Sequence, residues 1–162
     1  MKETIKNIES GKGLGAIRFG MDRSEIKKLL GEPDDIEVDD LEVDPEAIDE
    51  SEAWHYDEHE LSLAFDQEEG WRLVTISVTS DSYLLKGKKL IGKSLLAVTN
   101  ELKEWGVTDL ELEDLSTEEF PDHKMLTVYS LGINFWFDKE VLSEIQWGPL
   151  FSEDEEIIWP VD

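Results

Sequence analysis

Histidine is the residue type best suited to acid–base chemistry near neutral pH or to binding a transition metal, and this sequence has it at three positions. His55 and His59 are four residues apart, a spacing that favours zinc binding when both side chains lie on one face of a helix. A turn predicted at 57–58 separates them, so we expect the two rings on different strands of a hairpin. His123 lies in another predicted turn. The histidines therefore predict no catalytic site and no metal site.

Acidic side chains are the second source of chemistry. Asp66 and Asp138 follow two similar strand patterns, and paired carboxylates can act as general acid and base. Aspartate at the end of a strand is, however, a common turn residue. The acidic run 34–44 lacks the Asp-x-Asp-x-Asp-Gly loop with a terminal glutamate, which excludes an EF-hand. Weak, nonspecific binding of divalent cations is the cation chemistry that this composition leaves open.

Signatures of nucleophilic or nucleotide chemistry are missing from the sequence. Glycines at 11, 13 and 15 suggest a phosphate loop, but no Gly-Lys-Ser/Thr follows at the required spacing, and we interpret them as a flexible lead-in. The sequence contains no cysteine and so no thiol nucleophile, thiolate ligand or disulfide. It also has no nucleophile elbow, His-Glu-x-x-His or kinase motif. We predict that the protein is not an enzyme and carries no cofactor.

Alternating apolar residues predict two hairpins of the same form. The run LSLAFD at 61–66 alternates as a half-buried strand does, and after a turn the residues 73–78 form a second strand. The run INFWFD at 133–138 repeats the first pattern 72 residues later and is followed by 142–147. Further strands are predicted before the two hairpins, at 53–56 and 125–129.

A predicted helix precedes each hairpin at the same offset. The first lies within 20–31, with Asp22 or Ser24 as its N-cap and a glycine at its end. The second lies within 92–106, with Ser94 as its cap. Apolar residues at helical spacing give each helix one buried face: Ile26, Leu29 and Leu30 in the first, and Leu95, Val98, Leu102 and Trp105 in the second.

The shared order of glycine, helix and hairpin predicts an α+β fold of two tandem helix-plus-β-meander repeats, with an antiparallel sheet and helices packed on one face. We assign 1–80 to the first repeat unit, 81–149 to the second and 150–162 to an acidic C-terminal tail, all within one compact domain. The alternative to duplication is that the two hairpins are unrelated and look alike because apolar and polar residues alternate in any hairpin. The sequence leaves open whether the units share one continuous sheet.

Charge is very unevenly distributed along the chain, which has a formal net charge of −25. Residues 29–71 carry 18 acidic side chains and no lysine or arginine, whereas 1–28 carry seven basic and four acidic ones. Within the acidic block, 32–52 has few large apolar residues and is predicted to be an exposed loop. So negative a surface repels phosphate backbones and anionic lipids and attracts basic proteins. A role in solubility alone is the alternative.

The segment 19–34 (FGMDRSEIKKLLGEPD), followed by Trp54-x-Tyr56 and a β-meander, resembles the helix-then-sheet module of the bacterial outer-membrane assembly lipoprotein family BamE. Two such modules in tandem resemble the β-lactamase inhibitor protein (BLIP) architecture. In that superfamily the modules bind proteins through a concave sheet and do not catalyse reactions, so the resemblance implies a binding role. The lipoproteins' attachment cysteine and the inhibitors' cysteine pairs are missing here, so neither target is implied.

The sheet face that points away from the helices is the candidate protein-binding surface. The residues expected there are Ser62, Thr75 and Ser77 in the first unit and Asn134, Trp136, Glu144 and Gln146 in the second. One aromatic residue among small and polar ones is typical of a protein-binding hot spot. The alternative is that Trp136 packs under the tail or against the other unit.

Together these patterns predict a non-catalytic protein-binding module, and more narrowly an inhibitor or immunity-type protein that acts on a basic protein partner such as a nuclease toxin. The alternatives are an uncharacterised enzyme and an acidic structural or regulatory domain without a ligand. We expect no nucleic-acid partner and no membrane partner. The start of the chain shows no apolar signal-peptide core, which predicts a cytoplasmic location. Oligomeric state is left open.

Overall fold

The computed structural model describes residues 6–44 and 47–160, and its architecture is α+β. The described residues form two α-helices, α1 (Arg23–Leu30) and α2 (Leu95–Glu104). The strands, in chain order, are β1 (Asn7–Glu9), β2 (Gly13–Leu14), β3 (Ile17–Arg18), β4 (Asp35–Asp44), β5 (Ala47–Tyr56), β6 (Leu61–Asp66), β7 (Arg72–Val78), β8 (Leu84–Leu85), β9 (Leu110–Asp114), β10 (His123–Val128), β11 (Ile133–Asp138), β12 (Val141–Trp147), β13 (Leu150–Phe151) and β14 (Ile157–Ile158).

One antiparallel sheet of eight strands dominates the fold, in the order β4-β5-β6-β7-β12-β11-β10-β9. The central pairing joins β7 to β12, with Ser77 opposite Gln146. This pairing answers the question that the sequence left open, because the strands that follow α1 and those that follow α2 belong to one continuous sheet. β4 and β9 are its two outer strands.

Both helices pack on the same face of this sheet. Ile26 of α1 and Val98 of α2 belong to one cluster of buried residues together with Leu63, Phe65 and Phe135 of the sheet. Burial of each such side chain contributes about 1.5–3 kcal/mol through the hydrophobic effect, so this face supplies the core. We call it the core face, and we call the opposite face, which neither α1 nor α2 covers, the open face.

The helix boundaries follow from local side-chain chemistry. The carboxylate of Asp22 accepts the Glu25 N–H at 2.9 Å, and the Glu25 carboxylate accepts the Asp22 N–H at 3.4 Å, which makes a capping box. Of the two caps that the sequence allowed, the structure therefore selects Asp22. In α2 the Ser94 hydroxyl accepts the Ala97 N–H at 3.1 Å, as expected.

The predicted exposed loop at 32–52 is wrong. Most of this acidic segment forms the β4–β5 hairpin, in which Glu37 is paired with Ala53 and Val38 with Glu52. At the start of β4 the acidic residues Asp35 and Glu37 alternate with Ile36 and Val38, and the backbone of the strand pairs with β5. The high density of negative charge therefore led to the prediction of a loop, although the alternation of side chains indicated a strand.

The glycine-rich start of the chain is also ordered, contrary to the predicted flexible lead-in. β1, β2 and β3 form a small sheet with β8. The Trp147 Nε1–H donates to the Gly13 carbonyl at 3.1 Å, which ties this sheet to the end of β12. A Cβ at Gly13 would lie 2.0 Å from the Ile17 carbonyl oxygen, so glycine is required where these two backbones meet.

The C-terminal residues lie against the rest of the fold at two places. Leu150 packs beside Gly11 and Gly132, since a Cβ added at either glycine would lie 3.0 Å or less from its side chain. The guanidinium of Arg72 is 5.1 Å from the centre of the Trp159 ring. Between these anchors β13 and β14 form a short hairpin. No helix in the described ranges is long and apolar enough to cross a membrane.

Candidate protein-binding face

A single row of polar side chains crosses the whole open face. Strand register aligns one residue from each of the eight strands, and residues paired in this way project from the same face. From one edge to the other the row consists of Asp35, His55, Ser62, Ser77, Gln146, Asn134, Thr127 and Glu111. We call it the polar row. The row has a carboxylate at each end and uncharged hydrogen-bonding groups in its central part, so it offers polar contacts along the full width of the sheet.

The middle of the open face is hollow. A concavity of about 470 Å³ lies over β6, β7 and β12 and includes Ser62, Ser77 and Gln146 of the polar row. Its floor is low because Ala64 and Thr75 add only small side chains beside them. We call it the central hollow. It is large enough to take a long side chain from another molecule.

The charged side chains that line the central hollow are all acidic, and the ring of His55 lies beside them. The acidic residues are Asp57, Glu60 and Glu144, and none of the described residues that line the hollow is lysine or arginine. Burial raises the pKa of the Glu144 carboxyl above its usual value, and His123 partly offsets this rise. No lysine or arginine of the described residues forms an ion pair with Glu144. A cation brought into the hollow would stabilise the ionised carboxylate.

Trp136 forms a ridge next to the central hollow. Its ring stacks on the His123 ring, with centroids 5.4 Å apart and an interplanar angle of 23°. The indole N–H donates to the Gln146 side-chain oxygen at 3.2 Å. Trp136 lies opposite Glu144 in the sheet and is half-buried. Its ring is therefore held in place by polar neighbours of the open face while part of its surface stays accessible.

His55 connects two strands of the first half of the open face. Its Nδ1 is 2.7 Å from the Ser62 hydroxyl, and its Nε2 is 3.2 Å from the Glu37 carboxylate. His59 lies in the turn after β5, so the two histidines do not form a pair on one element. Within the described ranges no group of three or more histidine, cysteine, aspartate or glutamate side chains could hold a metal ion.

The C-terminal hairpin gives the open face a second concavity. About 820 Å³ of space lies between β13–β14 and the open face near Thr75, Thr127 and Asn134. Phe151 and Ile158 of this hairpin line the concavity, and both are at least half exposed. The hairpin therefore adds apolar surface to a face whose sheet residues are mostly polar.

The structure places every residue predicted for the binding surface on the open face, in half-buried positions: Ser62, Thr75, Ser77, Asn134, Trp136, Glu144 and Gln146. Trp136 stacks on His123 and donates a hydrogen bond to Gln146. Period-two alternation was sufficient for this placement. Five further residues of this surface, His55, His123, Thr127, Phe151 and Ile158, were not predicted to lie on it. Alternation in β5 and β10 could have found the first three, whereas the hairpin residues had no local signal.

Comparison of the chain with protein-family models, with curated protein sequences and with solved structures found no match.

Proposed function

We propose that this protein is a non-catalytic binding module that holds a basic protein partner on its open face. The observation that carries this proposal is the central hollow, a concavity of about 470 Å³ on a mostly polar face, where the described lining includes three carboxylates and no lysine or arginine. A lysine or arginine side chain of a partner fits both the shape and the charge of this site. The attraction between a cation and a partly desolvated carboxylate is stronger than the attraction between two fully exposed charges.

Apolar contacts beside the central hollow support the same proposal. Trp136 borders it on one side, and Phe151 and Ile158 project from the C-terminal hairpin further along the face. Protein interfaces commonly combine a few aromatic or aliphatic anchors with a surrounding polar rim. The open face has this composition, with the polar row between the two groups of anchors.

Within this class we propose an inhibitor or immunity-type role against a basic protein, with the protein acting in the cytoplasm. The net charge of −25 favours fast encounter with a positively charged partner, because the attraction acts before the surfaces touch. A binding face presented by a broad sheet also agrees with the resemblance to the BamE and BLIP modules.

We further propose that the two halves arose by duplication of one such module. In each half a helix is followed by four strands of the eight-stranded sheet. The sheet register shifts between Ala64 and Phe65 in one half and between Trp136 and Phe137 in the other, again at an offset of 72 residues. An experimentally determined structure in which these two bulges do not align when the halves are superposed would contradict the duplication.

Affinity capture with matched baits tests the binding proposal. Lysate of the native host is passed over immobilised wild-type protein, Glu144→Lys and Glu153→Lys. Both substitutions change the net charge equally, but Glu153 is exposed beyond β13 and outside the central hollow. We expect one basic protein to be retained by the wild type and by Glu153→Lys, and lost with Glu144→Lys. Equal retention by all three baits, or no specific retention, would count against the proposal.

Binding kinetics with the captured partner then separate charge from contact. Raising salt should slow association, because exposed charges are screened beyond about 8 Å at physiological ionic strength. Trp136→Ala should instead speed dissociation, at a cost of roughly 2 kcal/mol or more if Trp136 is an anchor. Surface plasmon resonance measures both rates. An association rate that does not change with salt concentration would indicate that the acidic surface serves only solubility.

A further inference from the structure

The outer edge of β9 presents unpaired backbone groups. Within the described part of the chain, β9 pairs with β10 and with no other strand. Just after β9 the Leu115 N–H donates to the His123 carbonyl at 2.8 Å, so this amide points toward β10. Donor directions alternate along an antiparallel strand, and the N–H groups of Leu112 and Asp114 therefore point outward. An outward row of this kind is a template for one further strand.

An apolar groove follows this edge on the side of the core face. It has a volume of about 430 Å³ and lies between α2 and β9, lined mainly by Leu95, Leu96, Leu110 and Leu112. Leu96 is 71% exposed and Leu112 is 50% exposed, so these side chains lack full cover. A strand added to β9 would place every second side chain over this groove, since side chains alternate between the faces of a sheet.

The other side of β9 is acidic. Glu111 and Glu113 are opposite Thr127 and Met125, which places both carboxylates on the open face, and both are exposed. A second copy of this strand would bring glutamates next to glutamates, which destabilises a sheet. A strand with lysine or arginine at alternate positions would pair with them instead. Charge therefore selects a basic partner segment and disfavours self-association through this edge.

Near the other end of the sheet, the corresponding positions of α1 are cationic. Arg23 and Lys27, the first and fifth residues of α1, lie where α2 has Leu95 and Thr99. The Lys27 ammonium is 5.5 Å from the centre of the Trp54 ring, and the Arg23 guanidinium is 3.1 Å from the Glu52 carboxylate. Arg23 and Lys27 are thus held against β5, whereas the corresponding Leu95 and Thr99 of α2 line the apolar groove beside β9.

We propose that the β9 edge binds an extended segment of a protein in which basic and apolar residues alternate, and that this segment adds one strand to the sheet. Its apolar side chains enter the groove beside α2, and its basic side chains meet Glu111 and Glu113. This site lies on the edge of the sheet and goes beyond the proposed function of the open face, with which it shares Glu111 at the end of the polar row.

Amide hydrogen exchange measured by NMR tests the proposal with defined peptides. One probe is a short acetylated and amidated peptide of alternating lysine and valine, and its control has the same composition with all lysines first. At about ten times the dissociation constant, the alternating peptide should slow exchange of the Leu112 N–H about tenfold, because exchange then occurs only from the free fraction. The block peptide should leave this amide unchanged.

Charge reversal supplies the matched variants. Glu111→Lys with Glu113→Lys should abolish the protection at Leu112, whereas Glu153→Lys with Glu156→Lys, which makes the same charge change at exposed residues outside β9, should preserve it. Equal protection by the block peptide, protection at Ile36 and Val38 in place of Leu112, or insensitivity to the β9 reversal would each overturn the proposal. Glu144→Lys should leave the Leu112 protection intact, so failure of the open-face proposal is distinguishable from failure of this one.

Discussion

The two faces of the eight-stranded sheet are made from alternate residues of the same strands, yet they have opposite compositions. In β11, Phe135 is fully buried on the core face, whereas its neighbour Trp136 lies half-buried among polar groups on the open face. The core face is apolar in both halves of the sheet, and the open face carries the polar row. Stability therefore depends chiefly on one face, which leaves the residues of the other free to serve recognition.

Replacement of Phe135 by alanine should have the largest effect on this comparison. Phe135 has no exposed surface, and its loss leaves a cavity beneath the helices. We expect Phe135→Ala to lower the free energy of unfolding by about 3–5 kcal/mol, measured by urea denaturation followed by circular dichroism. If Phe135→Ala lowers the free energy of unfolding no more than a substitution at an exposed residue does, the core face is not the main source of stability.

Trp136→Ala is the matched control at the adjacent position. It removes a larger side chain, but one that solvent already reaches in part, so we expect a cost of about 1 kcal/mol. Unfolding of this variant would show that Trp136 belongs to the core and would remove it from the candidate binding surface.

Glu144→Gln should give a smaller effect that depends on pH. Burial raises the pKa of the Glu144 carboxyl, so its ionised form destabilises the folded state. The protonated form favours folding, so this contribution to stability is fully present below the ordinary glutamate pKa and is lost as pH rises through the raised pKa. We therefore expect Glu144→Gln to stabilise the protein by about 0.5 kcal/mol at neutral pH. The two proteins should converge below about pH 4, because Glu144 is then protonated.

Asp109→Asn provides a control of opposite sign. The Ser130 hydroxyl and N–H donate to the Asp109 carboxylate and lower its pKa. This substitution should therefore destabilise the protein at neutral pH and lose its effect as pH falls through the lowered pKa. Thermal unfolding across a pH series measures both variants. A pH-independent difference for Glu144→Gln would indicate that burial of the charge is not the cause.

Much of the fold could be predicted from local pattern. Period-two alternation located β6 and β11, and capping residues located the start of α2 at Ser94 and narrowed that of α1 to Asp22 or Ser24. The β4–β5 hairpin was missed because its charge density outweighed the alternation of Ile36 and Val38 in the prediction. The small sheet of β1, β2, β3 and β8 was missed because its strands have only two or three residues, too few to show a period.

For the candidate site too, some features could be predicted from local pattern and others depend on contacts between distant segments. Alternation assigned Ser62, Ser77 and Gln146 to the open face, but it could not show that strand register aligns them in one row. That alignment depends on β7 pairing with β12, a contact between residues about seventy positions apart in the chain. The central hollow required the same pairing, since its walls come from both halves.

By itself, the sequence determined which residues of β6, β7, β11 and β12 are buried, the approximate positions of the two helices and the strongly negative charge, because these properties depend on residues within one or two turns of chain or on composition alone. The tertiary structure decided that the two sets of strands form one sheet, that Glu144 lies at a concavity and that β9 is an outer strand beside an apolar groove. These features arise from contacts between distant segments, and their free energy depends on register and packing that no local pattern encodes.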